Sequence, residues 1–164
     1  MRTSEQIQTE IEEKFGFFPP FFSPALQNPQ VLENLWQQTL NAYVTNPLPA
    51  LFKEKLSAYL SRYCPVPYCM VCHSCSLHFL GMKPKEVLKL LQSSPTEEIE
   101  IDKYLHILAQ ASNELMLEVE INSEVEESLL YCAIFISLEK DATYCRRELR
   151  HLLGDVNYQH LVTF

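Results

Sequence analysis

Glycine is scarce in this chain, and the pattern of a β-strand is missing. The 164 residues include three glycines, of which Gly81 and Gly154 follow segments with helical patterning and predict helix C-caps. No run alternates apolar and polar residues as a half-buried strand does. The sequence therefore predicts an all-α fold, a compact multi-helix domain of about eight helices.

Basic residues are outnumbered, and long apolar runs are missing. The chain has 13 Lys and Arg against 21 Asp and Glu, a net charge of −8, which argues against binding to nucleic acid or to anionic membrane surfaces. The longest apolar run, Leu129 to Leu138, is about half the length that a membrane span needs. The polar amino terminus lacks a signal-peptide pattern. We expect no nucleic-acid partner, no membrane partner and a cytoplasmic location.

The length and the balance of 47% hydrophobic to 21% charged residues suit one globular domain over residues 1–164. Its last residues look like a helix that is cut off, which would suit a fragment of a longer chain. Caps, prolines and periodicity predict helices over residues 4–16, 29–45, 49–63, 67–80, 83–91, 95–112, 123–140 and 141–153, with a last one starting at 156.

Four of the six cysteines lie between Cys64 and Cys75. In a cytosolic chain, such cysteines are more often redox-active, metal-bound or buried than joined in a disulfide framework. Cys132 lies inside an apolar run, which predicts a core residue.

Cys69 falls in the first turn of a helix that Pro67 is predicted to open. The free N–H groups and the dipole there favour a thiolate, so we expect a lowered thiol pKa. His73 is four residues on and shares the helix face with Cys69, and Cys72 lies on the same side. The sequence thus predicts a site made by Cys69, Cys72 and His73.

A metal site is the alternative, because Cys69, Cys72, Cys75 and His78 have ligand-like spacing. On a continuous helix these four residues sweep half the circumference over about 13 Å and cannot converge on one ion. The sequence therefore predicts neither a metal nor a cofactor.

Glu54 has an ambiguous position in its predicted helix. It lies opposite the apolar face that contains Phe52 and Leu56, so periodicity favours exposure to solvent. Ala58 and Ser61 make that opposite face small enough for a second helix to pack closely. Periodicity leaves both interpretations open.

Residues 51–91 resemble the helical core of the alkyl hydroperoxidase D / carboxymuconolactone decarboxylase family. The hydroperoxidase branch has a Glu, the second cysteine of a Cys-x-x-Cys pair fifteen residues later, and a His four further on. Glu54, Cys69 and His73 have these spacings, with the aromatic Tyr68 before the cysteine. The resemblance implies an antioxidant thiol-dependent peroxidase or disulfide oxidoreductase in which Cys69 reacts, His73 exchanges its proton and Glu54 orients the imidazole. It also implies a homo-oligomer and a dithiol reductant.

Val66 stands where the family has its first cysteine. Cys72 and Cys64 are therefore the candidate resolving thiols, although a Cys69–Cys72 disulfide within one helical turn would be strained. For the oligomer, the sequence offers Phe21, Phe22 and Trp36 as large apolar groups that one small domain would not fully bury.

The run from Leu60 to Cys69 also looks like the helical module at the N-terminus of some bacterial sensor histidine kinases. That resemblance implies a second function: a non-catalytic redox-sensing or interaction module whose partners are C-terminal signalling domains.

Overall fold

A computed structural model describes residues 2–94, 98–111 and 123–164 of the chain. All regular structure in these ranges is helical, which confirms the prediction of an all-α fold with about eight helices. No helix there combines the length and the apolar content needed to cross a bilayer. The α-helices are α1 (Ser4–Phe15), α2 (Pro29–Thr39), α3 (Ala50–Leu60), α4 (Pro67–Phe79), α5 (Pro84–Gln92), α6 (Glu98–Gln110), α7 (Ser123–Leu138) and α8 (Thr143–Thr163).

Short irregular helices complete these elements. A 3-10 helix covers Pro20–Ala25, a π-helical turn at Leu40–Val44 extends α2, and a 3-10 turn at Ser61–Tyr63 extends α3. The predicted start at Pro95 and the predicted end at Ser112 lie outside the described residues.

The chain divides into two compact units, Met1–Asn46 and Pro47–Phe164, and the single domain over residues 1–164 stays a prediction. In the first unit, α1 begins after Thr3, whose side chain forms a capping box with Gln6. Phe22 and Trp36 are fully buried in this unit's own core, whereas Phe21 is 45% exposed. The argument for an oligomer from Phe22 and Trp36 is therefore wrong, because their apolar surface is already covered.

The second unit has a main core between α3, α6, α7 and α8. Its central side chains, all fully buried, are Phe52, Tyr59, Leu108, Leu129, Cys132 and Leu149. The predicted core position of Cys132 is confirmed. A smaller cluster of Ala58, Leu77 and Val87 joins α3, α4 and α5, and so fixes α4 beside α3.

The connection between α3 and α4 determines where the cysteine-rich segment lies. Cys64 and Val66 have extended backbone, and Pro67 occupies the first turn of α4 without a side-chain cap before it. Cys64 contacts Cys69, and Glu54, earlier in the chain, contacts His73, later in the chain. Contacts that move outward along both segments in this way show that α3 and α4 are antiparallel. The short connection thus brings the C-terminal end of α3 and the first turn of α4 to one place.

The last helix contains a break at Gly154. This residue has φ 73° and ψ 164°, so α8 consists of two helical segments with a kink between them. The sequence predicts a C-cap at Gly154 and a new helix from Val156, and the kink agrees with both. The second segment carries Leu161 back onto the main core.

Candidate functional site

A cavity of about 530 Å³ lies between α3, α4, α7 and α8. Three of the five predicted site residues, Cys64, Cys69 and His73, contribute to its wall, and Glu54 contacts His73. The full lining is Leu56, Ser57, Leu60, Ser61, Cys64, Cys69, His73, Ala133, Ile136, Ser137, Arg146, Leu161, Val162 and Phe164.

Cys64 and Cys69 face each other at the edge of this cavity. Their Sγ atoms lie 4.0 Å apart, and both side chains are half-buried. A disulfide has an S–S distance of about 2.0 Å, so a shift of roughly 2 Å would join the two sulfurs. The backbone N–H of Cys69 bonds to the carbonyl oxygen of Val66 at 3.2 Å, which fixes Cys69 in the first turn of α4. Of the two candidate resolving thiols, Cys64 is therefore the one whose sulfur lies beside that of Cys69.

His73 and Glu54 form a close pair behind the cysteines. The distance from His73 Nδ1 to Glu54 Oε2 is 2.8 Å, and the Glu54 side chain is 9% exposed. Exposure of Glu54, which periodicity favours, is thus wrong: α4 covers that face of α3. The close approach is possible because Ala58 and Ser61, on the same face, are small and buried.

The carboxylate of Glu54 determines how the imidazole can act. A carboxylate accepts a hydrogen bond from Nδ1–H, so this contact selects the tautomer in which Nε2 of His73 can take up a proton. A buried carboxylate also stabilises the imidazolium that forms after proton uptake. The pair therefore provides an oriented base in the wall of the cavity.

The pKa of the Cys69 thiol is raised, whereas the sequence predicts that it is lowered. Burial raises this pKa, and the hydrogen bond with Cys64 raises it further. The backbone N–H at Cys69 lowers the pKa, as the first turn of a helix should, but has a smaller effect than burial. No hydrogen bond joins Cys69 to His73 among the described residues. The raised pKa means that Cys69 needs a base to become a nucleophile.

Cys72 does not share this cavity with Cys69. It lies against Tyr68, and the hydrogen bond between them raises the pKa of the Tyr68 hydroxyl. The grouping of Cys72 with Cys69 and His73 stays a prediction: Cys72 does not line the cavity, although its charge acts on the Cys69 thiol. Cys75 and His78 lie on another face of α4, as predicted, beside an apolar groove. Within the described ranges, no three His, Cys, Asp or Glu side chains converge as a metal site.

Arg146 is a charged residue of the cavity wall that sequence reasoning missed. Its guanidinium Nη2 donates to the carbonyl oxygens of Ile136, at 2.6 Å, and Glu139, at 3.3 Å, where α7 ends. These bonds hold Arg146 in the wall of the cavity. Nothing in the local sequence pattern around residue 146 indicates this position, because it depends on how α8 packs on α7.

Comparisons with known proteins add no information about the site. No family model, no curated protein and no solved structure matches this chain. The likeness to the alkyl hydroperoxidase D family accordingly rests on the sequence: the spacing of Glu54, Cys69 and His73, the aromatic Tyr68, and the segment 81–88 that follows.

Proposed function

We propose that this chain is a thiol-dependent peroxidase that cycles between a Cys64, Cys69 dithiol and the corresponding disulfide. The observation that carries the proposal is the 4.0 Å separation of the two sulfurs in a cavity that also contains His73. A dithiol that needs so small a movement can be oxidised and reduced repeatedly without unfolding.

The first half of the cycle oxidises Cys69. His73 Nε2, in the wall of the same cavity, takes the proton of the Cys69 thiol once the two groups move into hydrogen-bond reach, which overcomes the raised pKa of that thiol. The thiolate attacks the terminal oxygen of a hydroperoxide, an S–O bond forms and the O–O bond breaks. The departing alkoxide takes the proton from His73 and leaves as an alcohol. Cys69 is then a sulfenic acid, and Glu54 has stabilised the imidazolium in between.

The second half restores the thiols. The Cys64 sulfur attacks the Cys69 sulfur, the S–O bond breaks, and hydroxide leaves as water with the proton of Cys64. An external dithiol then reduces the Cys64–Cys69 disulfide by exchange. In sum, one hydroperoxide and one dithiol give one alcohol, one water and one disulfide. A reducing compartment such as the cytoplasm would supply that dithiol.

The test is peroxide consumption by the purified chain with dithiothreitol as the reductant. We expect turnover by the wild type, loss of turnover in Cys69→Ser, and a single slow oxidation without turnover in Cys64→Ser. Cys72→Ser is the matched control and should retain turnover, because Cys72 lies outside the cavity. Turnover that requires Cys72 but not Cys64 would contradict the assigned pair.

A second candidate function is a redox-sensing module without peroxidase turnover. The raised pKa of Cys69 favours it, because a thiol that is mostly protonated reacts slowly with peroxide. In this case the same disulfide would form once and signal to C-terminal signalling domains. Disulfide formation without sustained peroxide consumption would distinguish this function from the enzyme.

A further inference from the structure

The cavity beside the two cysteines combines an apolar wall with one strong cation. Seven of its side chains are hydrocarbon: Leu56, Leu60, Ala133, Ile136, Leu161, Val162 and Phe164. Among the described residues that line it there is no Asp or Glu side chain, while Arg146 contributes a guanidinium. Such a lining fits a ligand with an apolar body and one anionic group.

Arg146 differs from the arginines that follow it on α8. Arg147 forms an ion pair with Glu148 at 3.0 Å, and Arg150 forms one with Asp155 at 2.6 Å. Within the described ranges, no Asp or Glu side chain forms an ion pair with Arg146. Its Nη2 is used by two carbonyl oxygens, whereas a guanidinium has five N–H donors in all.

A half-buried guanidinium without a carboxylate partner is suited to bind an anion. Its remaining donors, on Nε and Nη1, can each give an anion a charge-assisted hydrogen bond. The carbonyl oxygens of Ile136 and Glu139 hold the side chain in place before any ligand arrives. Binding would then lose little side-chain entropy.

We propose that Arg146 binds the carboxylate of an amphipathic hydroperoxide, and that the cavity therefore selects carboxylated over uncharged substrates. The apolar wall would contact the hydrocarbon body of the substrate, while its hydroperoxide group reaches Cys69. A cavity of about 530 Å³ is in the range that accommodates such a molecule, roughly 300–1,000 Å³. This inference rests on the proposed peroxidase function and specifies its substrate class.

The net charge of −8 means that any preference for an anionic substrate must come from a local group such as Arg146. The chain as a whole repels anions, so a preference for a carboxylated substrate cannot come from its overall field. Replacing Arg146 should remove the preference, whereas removing an equal charge from the neighbouring Arg147 should not. Arg147 is thus a matched control, since its side chain is 71% exposed and is not part of the cavity lining.

The experiment compares linoleic acid hydroperoxide with its methyl ester, both below the concentration at which they form micelles. We expect wild-type kcat/KM to favour the acid, and Arg146→Gln to lower kcat/KM for the acid by on the order of 10- to 100-fold with little change for the ester. Arg147→Gln should behave as the wild type. Equal kcat/KM for acid and ester in the wild type, or a preference that survives in Arg146→Gln, would overturn the proposal.

A binding measurement separates this proposal from the peroxidase function. The binding of linoleate and of methyl linoleate is measured by calorimetric titration, which needs no turnover. The titration therefore shows whether Arg146 binds the carboxylate even if the chain consumes no peroxide. Arg146 also holds the end of α7, so each variant's thermal unfolding is recorded, and Arg146→Lys keeps the charge if Arg146→Gln does not fold. Wild-type binding of acid and ester with equal affinity overturns the proposal in every case.

Discussion

The Glu54–His73 pair should contribute measurably to stability, because its carboxylate is almost fully buried. The two atoms in contact are 2.8 Å apart, and the side chains are 9% and 29% exposed for Glu54 and His73. Hydrogen bonds to charged groups at such sites contribute roughly 1.5–3 kcal/mol. We predict that Glu54→Ala, His73→Ala and the double variant give a coupling energy of this size in a double-mutant cycle.

The chain offers a matched control at the surface. The Arg150–Asp155 pair has a similarly short contact, 2.6 Å against 2.8 Å, but its side chains are 63% and 76% exposed. Water and salt screen exposed pairs strongly, so the same cycle on Arg150 and Asp155 should give a clearly smaller coupling energy. Urea unfolding followed by two spectroscopic probes gives the free energies and tests for two-state behaviour. Equal coupling in the two pairs would refute the reasoning that burial strengthens the Glu54–His73 contact.

Three further predictions concern the cysteines and the assembly. Alkylation of the native protein at graded pH should give Cys69 a labelling midpoint above that of a free small-molecule thiol, because burial raises the Cys69 pKa. Cys64→Ala should lower that midpoint, and a midpoint below that of the free thiol would contradict the pKa direction. Mild oxidation should yield a Cys64–Cys69 disulfide by peptide mass mapping, in the wild type and in Cys72→Ser alike, and a Cys69–Cys72 disulfide would show that the first turn of α4 opens instead. The homo-oligomer stays a prediction, and light scattering should give a mass above 19.1 kDa, since a constant 19.1 kDa species at all concentrations would exclude it.

Proline, glycine and helical periodicity predicted the helices and the position of Cys69 in the first turn of α4. Pro67 and Gly154 act through their own backbone restrictions, so the start of α4 and the break in α8 can be inferred from sequence. Burial of Glu54 could not be inferred by periodicity, since a hydrophobic pattern identifies the face toward the main core and says nothing of a second helix on the other side. The pKa of Cys69 and the position of Arg146 depend on packing between distant segments, which no spacing in the sequence encodes.

The kink at Gly154 makes one wall of the cavity depend on a residue that is not part of it. Residues 161, 162 and 164 contribute to that wall from the segment that follows the kink. With φ 73° and ψ 164°, Gly154 has a backbone conformation that is almost restricted to glycine, and any side chain there costs about 1–3 kcal/mol. A Cβ at this position would meet no atom within 4 Å, so the whole penalty is torsional and can be relieved by rotation of the backbone at this hinge. A substitution at Gly154 would therefore swing the final helical segment and reshape the cavity while leaving every cysteine unchanged.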